Sequence, residues 1–226
     1  EAEESLDRAL AMHRENGNRR FEGIELSCLS TLYRETGRLA EAEQASMQAV
    51  QIHREGGHTH LLGSALAALA VVYDMTRRLE LSEQLALEAL RLNRETGDRT
   101  LEAGTLHNLV NVLRLTGRLA QAVSTCEKVL AIYRELGARR SLGEVLSNLA
   151  ILYRQQGDLR RSEECYLEAL HILREVGSPR FEGLTLTNLG NLYSDQHRWQ
   201  EAEQSYRSGM AILSTIGETR LTAMTH

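Results

Sequence analysis

Six tetrapeptides recur along this chain at one fixed interval. RENG (14–17), REGG (54–57), RETG (94–97), RELG (134–137) and REVG (174–177) begin 40 residues apart, and STIG (214–217) keeps the register. The repeat extends well beyond these phrases. Leu26, Leu66, Leu106, Leu146 and Leu186 align, as do Leu29, Leu69, Leu109, Leu149 and Leu189. Tyr33, Tyr73, Tyr153 and Tyr193 align as well, with Leu113 in the fifth place. A period in this range belongs to arrays of stacked supersecondary units, each unable to bury its apolar face alone.

The unit is a helical hairpin. Leu186, Leu189, Gly190 and Tyr193 follow the i, i+3, i+4, i+7 spacing of one helix face, and Ala202, Tyr206, Gly209 and Met210 form a second stripe on another helix. Gly17, Gly57, Gly97, Gly137, Gly177 and Gly217 stand where a helix C-terminus takes a left-handed residue, and Gly37, Gly117 and Gly157 mark the turn inside the hairpin. Asn18, Asp98 and Ser178 are placed as N-caps, and Pro179 falls at the first helical position. The spacing predicts helices at 19–36, 39–56, 59–76 and 79–96, and so on to the end. That makes about eleven helices: five hairpins preceded by one unpaired helix. The small residues Ala42, Ser82, Ala122, Ser162 and Ala202 would let paired helices approach. Gly23, Gly63, Gly143 and Gly183, each costing roughly 1 kcal/mol in a helix, imply close contact with the preceding helix.

Composition agrees with an all-α fold. Among 226 residues, 42% are hydrophobic, only 4% are aromatic and Pro179 is the one proline, which suits a Leu/Ala core in nearly uninterrupted helix. No apolar run approaches the roughly 18 residues of a membrane span, and no signal-peptide pattern is present. Cys28, Cys126 and Cys165 are odd in number and far apart, which suits a reducing cytoplasm better than a disulfide framework. The net charge of −5 disfavours nucleic acid and anionic membranes as partners. Lys128 is the only lysine beside many arginines, the mark of a GC-rich genome.

The order L-G-x-x-Y then A-x-x-x-Y over residues 189–206 resembles the packing signature of the tetratricopeptide repeats. Two departures stand out: a period of 40 instead of about 34, and Leu at the signature Trp position of every copy. SNLAILYRQQGDLRRSEECYLEAL (147–170) is similar to kinesin light chain repeats, and TNLGNLY (187–193) to the Leu-Gly-Asn-repeat adaptors. The resemblance covers essentially the whole chain as a single array: a lone second helix at 1–17, repeats at 18–57, 58–97, 98–137, 138–177 and 178–217, and the start of a truncated helix at 218–226. It implies a right-handed superhelical α-solenoid that binds a protein or peptide in its concave groove, as part of a larger, bacterial multidomain protein.

By spacing, the first helix of each hairpin lines that groove. Val71 and Met75 lie in its apolar first half; Asn108, Asn111, Asn148, Asn188 and Asn191 mark its second half. An amide donates and accepts at once, so such a ladder can hold an extended backbone without reading its side chains. In the resembling families, Asn at the places of Asn108, Asn148 and Asn188 does this; Cys28 and Ala68 replace it in the first two repeats. Arg34, Arg114 and Arg154 are placed to pair with carboxylates. The bland alternative is that these polar groups are solvated or bonded to neighbouring repeats. The recurrent Arg14, Arg54, Arg94, Arg134 and Arg174 read as structural cations at helix C-termini, with Glu15, Glu55, Glu95, Glu135 and Glu175 facing solvent.

No catalytic motif and no convincing metal set is present: His58 and His60, or His13 with His53, lack a third ligand. The expectation is a non-enzymatic interaction scaffold without a cofactor. The alternative is a peptide-pheromone-sensing module of a bacterial regulator; a nucleic-acid-reading solenoid ranks third. Residues 1–16 align with the second helix of a hairpin, so the chain reads as an excised segment of a longer array. Leu6 and Leu10 on that first helix predict a weak homodimer through the terminal helices.

Overall fold

The computed structural model describes the backbone of residues 2–224 and the side chains of residues 2–217. Its eleven helices are α1 (Ala2–Glu15), α2 (Arg19–Glu35), α3 (Leu39–Glu55), α4 (Thr59–Met75), α5 (Leu79–Glu95), α6 (Arg99–Leu115), α7 (Leu119–Glu135), α8 (Arg139–Gln155), α9 (Leu159–Glu175), α10 (Pro179–Asp195) and α11 (Trp199–Met224). No strand occurs among the described residues. The fold is an all-α repeat of helical hairpins. It divides into two compact units, α1–α6 up to Thr116 and α7–α11 from Gly117.

Each turn closes in one way. The residue after the left-handed position donates its N–H to the carbonyl five residues back, as Asn18 does to His13 (2.8 Å) and Arg78 to Tyr73 (2.8 Å). Inside the hairpins Gly37, Gly117 and Gly157 supply the positive φ, but Arg77 (φ 61°) and His197 (φ 59°) adopt it with a side chain. Left-handed backbone costs an L-residue about 1–2 kcal/mol, partly offset by the extra freedom glycine loses on folding. Arg77→Gly and His197→Gly are each expected to raise stability by up to about 1 kcal/mol. A lowered denaturation midpoint for either variant would refute this.

Three local expectations are corrected. Asp98 caps its helix by accepting from the Leu101 N–H at 2.8 Å, but Asn18 and Ser178 make no side-chain cap bond, while Asp158 caps Arg161 at 3.1 Å. Gly217 ends no helix: α11 runs through it, so residues 218–224 continue α11 instead of opening a new helix. Residues 225–226 lie outside the described residues. Finally, Gly23, Gly63, Gly143 and Gly183 do not face the preceding helix. A Cβ at each would strike the second helix of the same hairpin, at His53, Asn93, Leu173 and Leu213 respectively. An antiparallel hairpin brings the first turn of one helix against the last turns of its partner, which is what these glycines admit.

In the first unit Leu26, Leu29, Leu66 and Leu69 pack with Ala45, Ala49, Ile52 and Leu92. Leu10 is buried in this core and Leu6 is packed against it, so the stripe expected to drive terminal association is largely covered by its own chain. In the second unit Leu186, Leu189, Leu192 and Tyr193 pack with Ala150, Tyr166 and Leu170. The small residues seal the hairpins with hydrogen bonds as well as by close approach. Ser82 donates to the Ala70 carbonyl (2.7 Å) and Ser162 to that of Ala150 (2.8 Å), while Ser30 donates to that of Ala42 (3.0 Å).

Ion pairs fasten one repeat to the next. Arg14, Arg94 and Arg174 donate to Glu22, Glu102 and Glu182 at 3.0, 2.8 and 2.7 Å. Glu22 and Glu102 are buried, and burial alone would push their carboxyls upward; two arginines at each outweigh it and hold them below the ordinary range. Where Leu62 and Leu142 replace the acid, Arg54 and Arg134 turn instead to Glu88 and Glu168 on the next second helix. A second staple joins Arg38 to Glu3, Arg78 to Glu43 and Arg198 to Glu163, each at 2.7 Å. The same guanidinium groups lie 4.1–4.3 Å over the rings of Tyr33, Tyr73 and Tyr193. Arg14, Arg54, Arg94, Arg134 and Arg174 are thus each paired with a carboxylate of another helix, an interaction beyond the helix-end placement that the sequence suggested.

Candidate binding surface

Within the first unit α2 packs on α4 and α4 on α6, and α2 and α4 pack also on their hairpin partners α3 and α5; within the second, α8 packs on α10. The side on which consecutive repeats crowd is the inner side of a curved stack, so the first helices form the inner layer of each unit.

On the inner layer of the first unit, Val71 is half-buried and Met75 is 46% exposed. Asn108 is exposed and makes no hydrogen bond among the described residues. Asn111 behaves differently. Its Nδ2 donates to Asp74 Oδ2 at 2.6 Å and its Oδ1 accepts from Arg114 Nη2 at 2.8 Å, so a single network takes up both Asn111 and Arg114. Arg34 is half-buried and has no ion pair among the described residues.

A pocket of about 400 Å³ opens on the same layer between α2 and α4, lined by Ile24, Ser27, Cys28, Thr31 and Ser64 with buried His53 behind them. Burial, then the neighbouring His58, lowers the His53 pKa and keeps the ring neutral, while burial and Glu25 push the Cys28 thiol up. The pocket therefore offers hydroxyls, a protonated thiol and apolar carbon, with no charge of its own.

On the inner layer of the second unit, Asn188 is half-buried and free of hydrogen bonds among the described residues, whereas Asn148 is half-buried and engaged. Asn191 accepts from the Tyr206 hydroxyl at 2.8 Å, which ties α10 to α11. Arg154 Nε donates to Asp195 Oδ2 at 2.5 Å. Asn191 and Arg154 are thus held by their own chain.

Sequence reasoning overlooked Asp74. Asp74 was detectable: it is an acid at the position held by Arg34, Arg114 and Arg154 in other repeats. Among the described residues no group of three His, Cys, Asp or Glu side chains could hold a metal, and no helix is long and apolar enough to cross a membrane.

The tetratricopeptide repeat model matches residues 24–95, 101–175 and 141–215. No curated protein matches in sequence. Among solved structures the chain resembles BtubC (BKLC) from P. vanneervenii, with a TM-score of 0.80 and 20% identity over 96% of this chain and 91% of that one. A putative kinesin light chain with TPR-like repeats from Podospora anserina gives 0.67 at 18% identity, covering 84% and 94% of the two chains. A Rap protein complexed with competence and sporulation factor gives 0.74 at 14% identity over 87% of this chain, which spans about half of that protein (54%).

Proposed function

The chain belongs to the tetratricopeptide repeat family, and from that premise we propose that it is a non-catalytic scaffold holding a peptide or partner segment on the first-helix layer of either unit. The carrying observation is the division among its inner polar groups. Asn111, Asn148, Arg114 and Arg154 are engaged in internal interactions and Asn191 gives its Oδ1 to Tyr206, while Asn108 and Asn188 keep both amide functions open. An open amide in a helix recognises an extended backbone whatever its sequence. Val71, Met75 and the pocket beside Cys28 supply the apolar and hydroxyl contacts that select side chains. With Arg154 already paired, carboxylate recognition falls to Arg34.

A second reading, a sensing module for a short signal peptide, is favoured by the likeness to a Rap protein solved with competence and sporulation factor. Both readings put the ligand on the same layer. A screen of unstructured synthetic peptides supplies a binder, and fluorescence anisotropy measures it. Replacing Asn108, Asn148 and Asn188 together by Ala is expected to weaken binding by a few kcal/mol at most, at roughly 0.5–1.5 kcal/mol for each net hydrogen bond. Unchanged affinity in the folded variant would remove the asparagines from the mechanism.

A further inference from the structure

A further concavity of the first unit lies away from the inner layer. It is a groove of about 820 Å³ between the second helices α3 and α5, floored by Leu69 and Tyr73 of α4 and walled by Met47, Leu81 and Leu85. Leu69, Tyr73 and Leu85 belong to or pack on the core, whereas Met47 is 51% and Leu81 44% exposed. The repeat supplies an internal control. The places equivalent to Leu81 hold Glu41, Gln121, Arg161 and Glu201, and those equivalent to Leu85 hold Ala45, Thr125, Cys165 and Ser205. Stacking therefore does not require leucine at either position, and both leucines meet at this groove alone.

We propose that this groove docks an amphipathic α-helix of a partner protein, presenting leucine-like side chains and no charge on its buried face. Three observations fix that occupant. First, the ions along the rim are already neutralised: Glu43 by Arg78 (2.7 Å), Arg54 by Glu88 (2.8 Å) and Glu55 by Arg19 (3.3 Å). The polar groups left over, Gln44, Gln48 and Gln84, are neutral amides with no hydrogen bond among the described residues. A charged face would be desolvated there without a counter-ion. Second, the walls are helices whose backbone groups are bonded internally, so an extended segment would meet only the glutamine side chains and would leave its N–H and C=O groups unpaired where it crosses Met47, Leu81 and Leu85; a helix brings its own satisfied backbone. Third, the α3 wall runs from Ala40 through Met47 to Arg54, about 21 Å at 1.5 Å per residue, which matches a helix of roughly four turns.

The inference is independent of the inner-layer reading, and its test keeps the two apart. The probe is a fluorescein-labelled synthetic helix of about four turns, with leucine at i, i+4, i+7 and i+11 and alanine and glutamine elsewhere. The intact chain is expected to bind it. Leu81→Glu, which installs the residue of Glu41 and Glu201, is expected to weaken binding at least tenfold, and Leu85→Ser, copying Ser205, to weaken it measurably. The triple asparagine variant should bind as the parent does. No binding to the parent, equal binding to Leu81→Glu, or loss of binding in the asparagine variant would overturn the proposal. So would sedimentation showing a dimer that Leu81→Glu dissociates, since the occupant would then be a second copy of this chain.

Discussion

Tyr166→Ala is expected to cost about 3–5 kcal/mol, the range for emptying a large aromatic site in a core. Tyr166 is fully buried at 0% exposure, in the cluster that joins Ala150, Leu170 and Leu189 across α8, α9 and α10. Three helices line the space it fills, so a collapse in one cannot close the void. Its hydroxyl, however, is buried with no hydrogen-bond partner among the described residues, and burial pushes its pKa up. Tyr166→Phe removes that unsatisfied group while keeping the ring, so it is expected to be neutral or stabilising by about 1 kcal/mol. Urea denaturation of both variants decides the matter. A cost below about 1.5 kcal/mol for Ala would show that the ring does not hold the cluster; a comparable loss for Phe would show that the hydroxyl is bonded after all.

How much of this was readable from the sequence depends on the range of each interaction. The helices, their turns and the Leu/Tyr stripes follow from spacing inside one repeat, so they could be placed to within a residue or two: α4 was expected at 59–76 and spans Thr59–Met75. Partners in another helix could not be read that way. Asn111 donates to Asp74, 37 residues earlier, and the Asn191 amide oxygen accepts from Tyr206 on the next helix. Spacing puts these asparagines on one face of the first helices but does not say whether that face has already been claimed. The same blindness hid the alternation of Glu22, Glu102 and Glu182 with Leu62 and Leu142, a pattern two repeats long that decides whether the recurrent arginine reaches the next first helix or the next second helix. It also misdirected the glycines. A small residue announces a close approach without naming the neighbour, and Gly23 and Gly63 proved to accommodate His53 and Asn93 within their own hairpins.

One substitution, glycine to alanine in mid-helix, is expected to have opposite signs at two places. Alanine is favoured over glycine by about 1 kcal/mol in a helix interior, and this gain is the same wherever the added methyl has room. At Gly104 in α6 nothing lies within 4 Å of the position a Cβ would take, so Gly104→Ala should stabilise by about 0.5–1 kcal/mol. At Gly209 in α11 the same methyl would come within 2.8 Å of the Gly183 carbonyl oxygen and 2.9 Å of Thr187 Oγ1. Neither can yield easily. The carbonyl is main chain of α10, and the Thr187 hydroxyl is fixed by its own 3.0 Å bond to that carbonyl. Relief requires α10 and α11 to separate, which would loosen Leu213 from Gly183 and Tyr206 from Gly190 at the same interface. Overpacking of this kind costs about 1–3 kcal/mol, enough to outweigh the helix gain, so Gly209→Ala is expected to destabilise the second unit. Denaturation midpoints measured side by side give the signs directly. If Gly209→Ala were as stabilising as Gly104→Ala, the backbone-to-backbone approach of α10 and α11 would not exist.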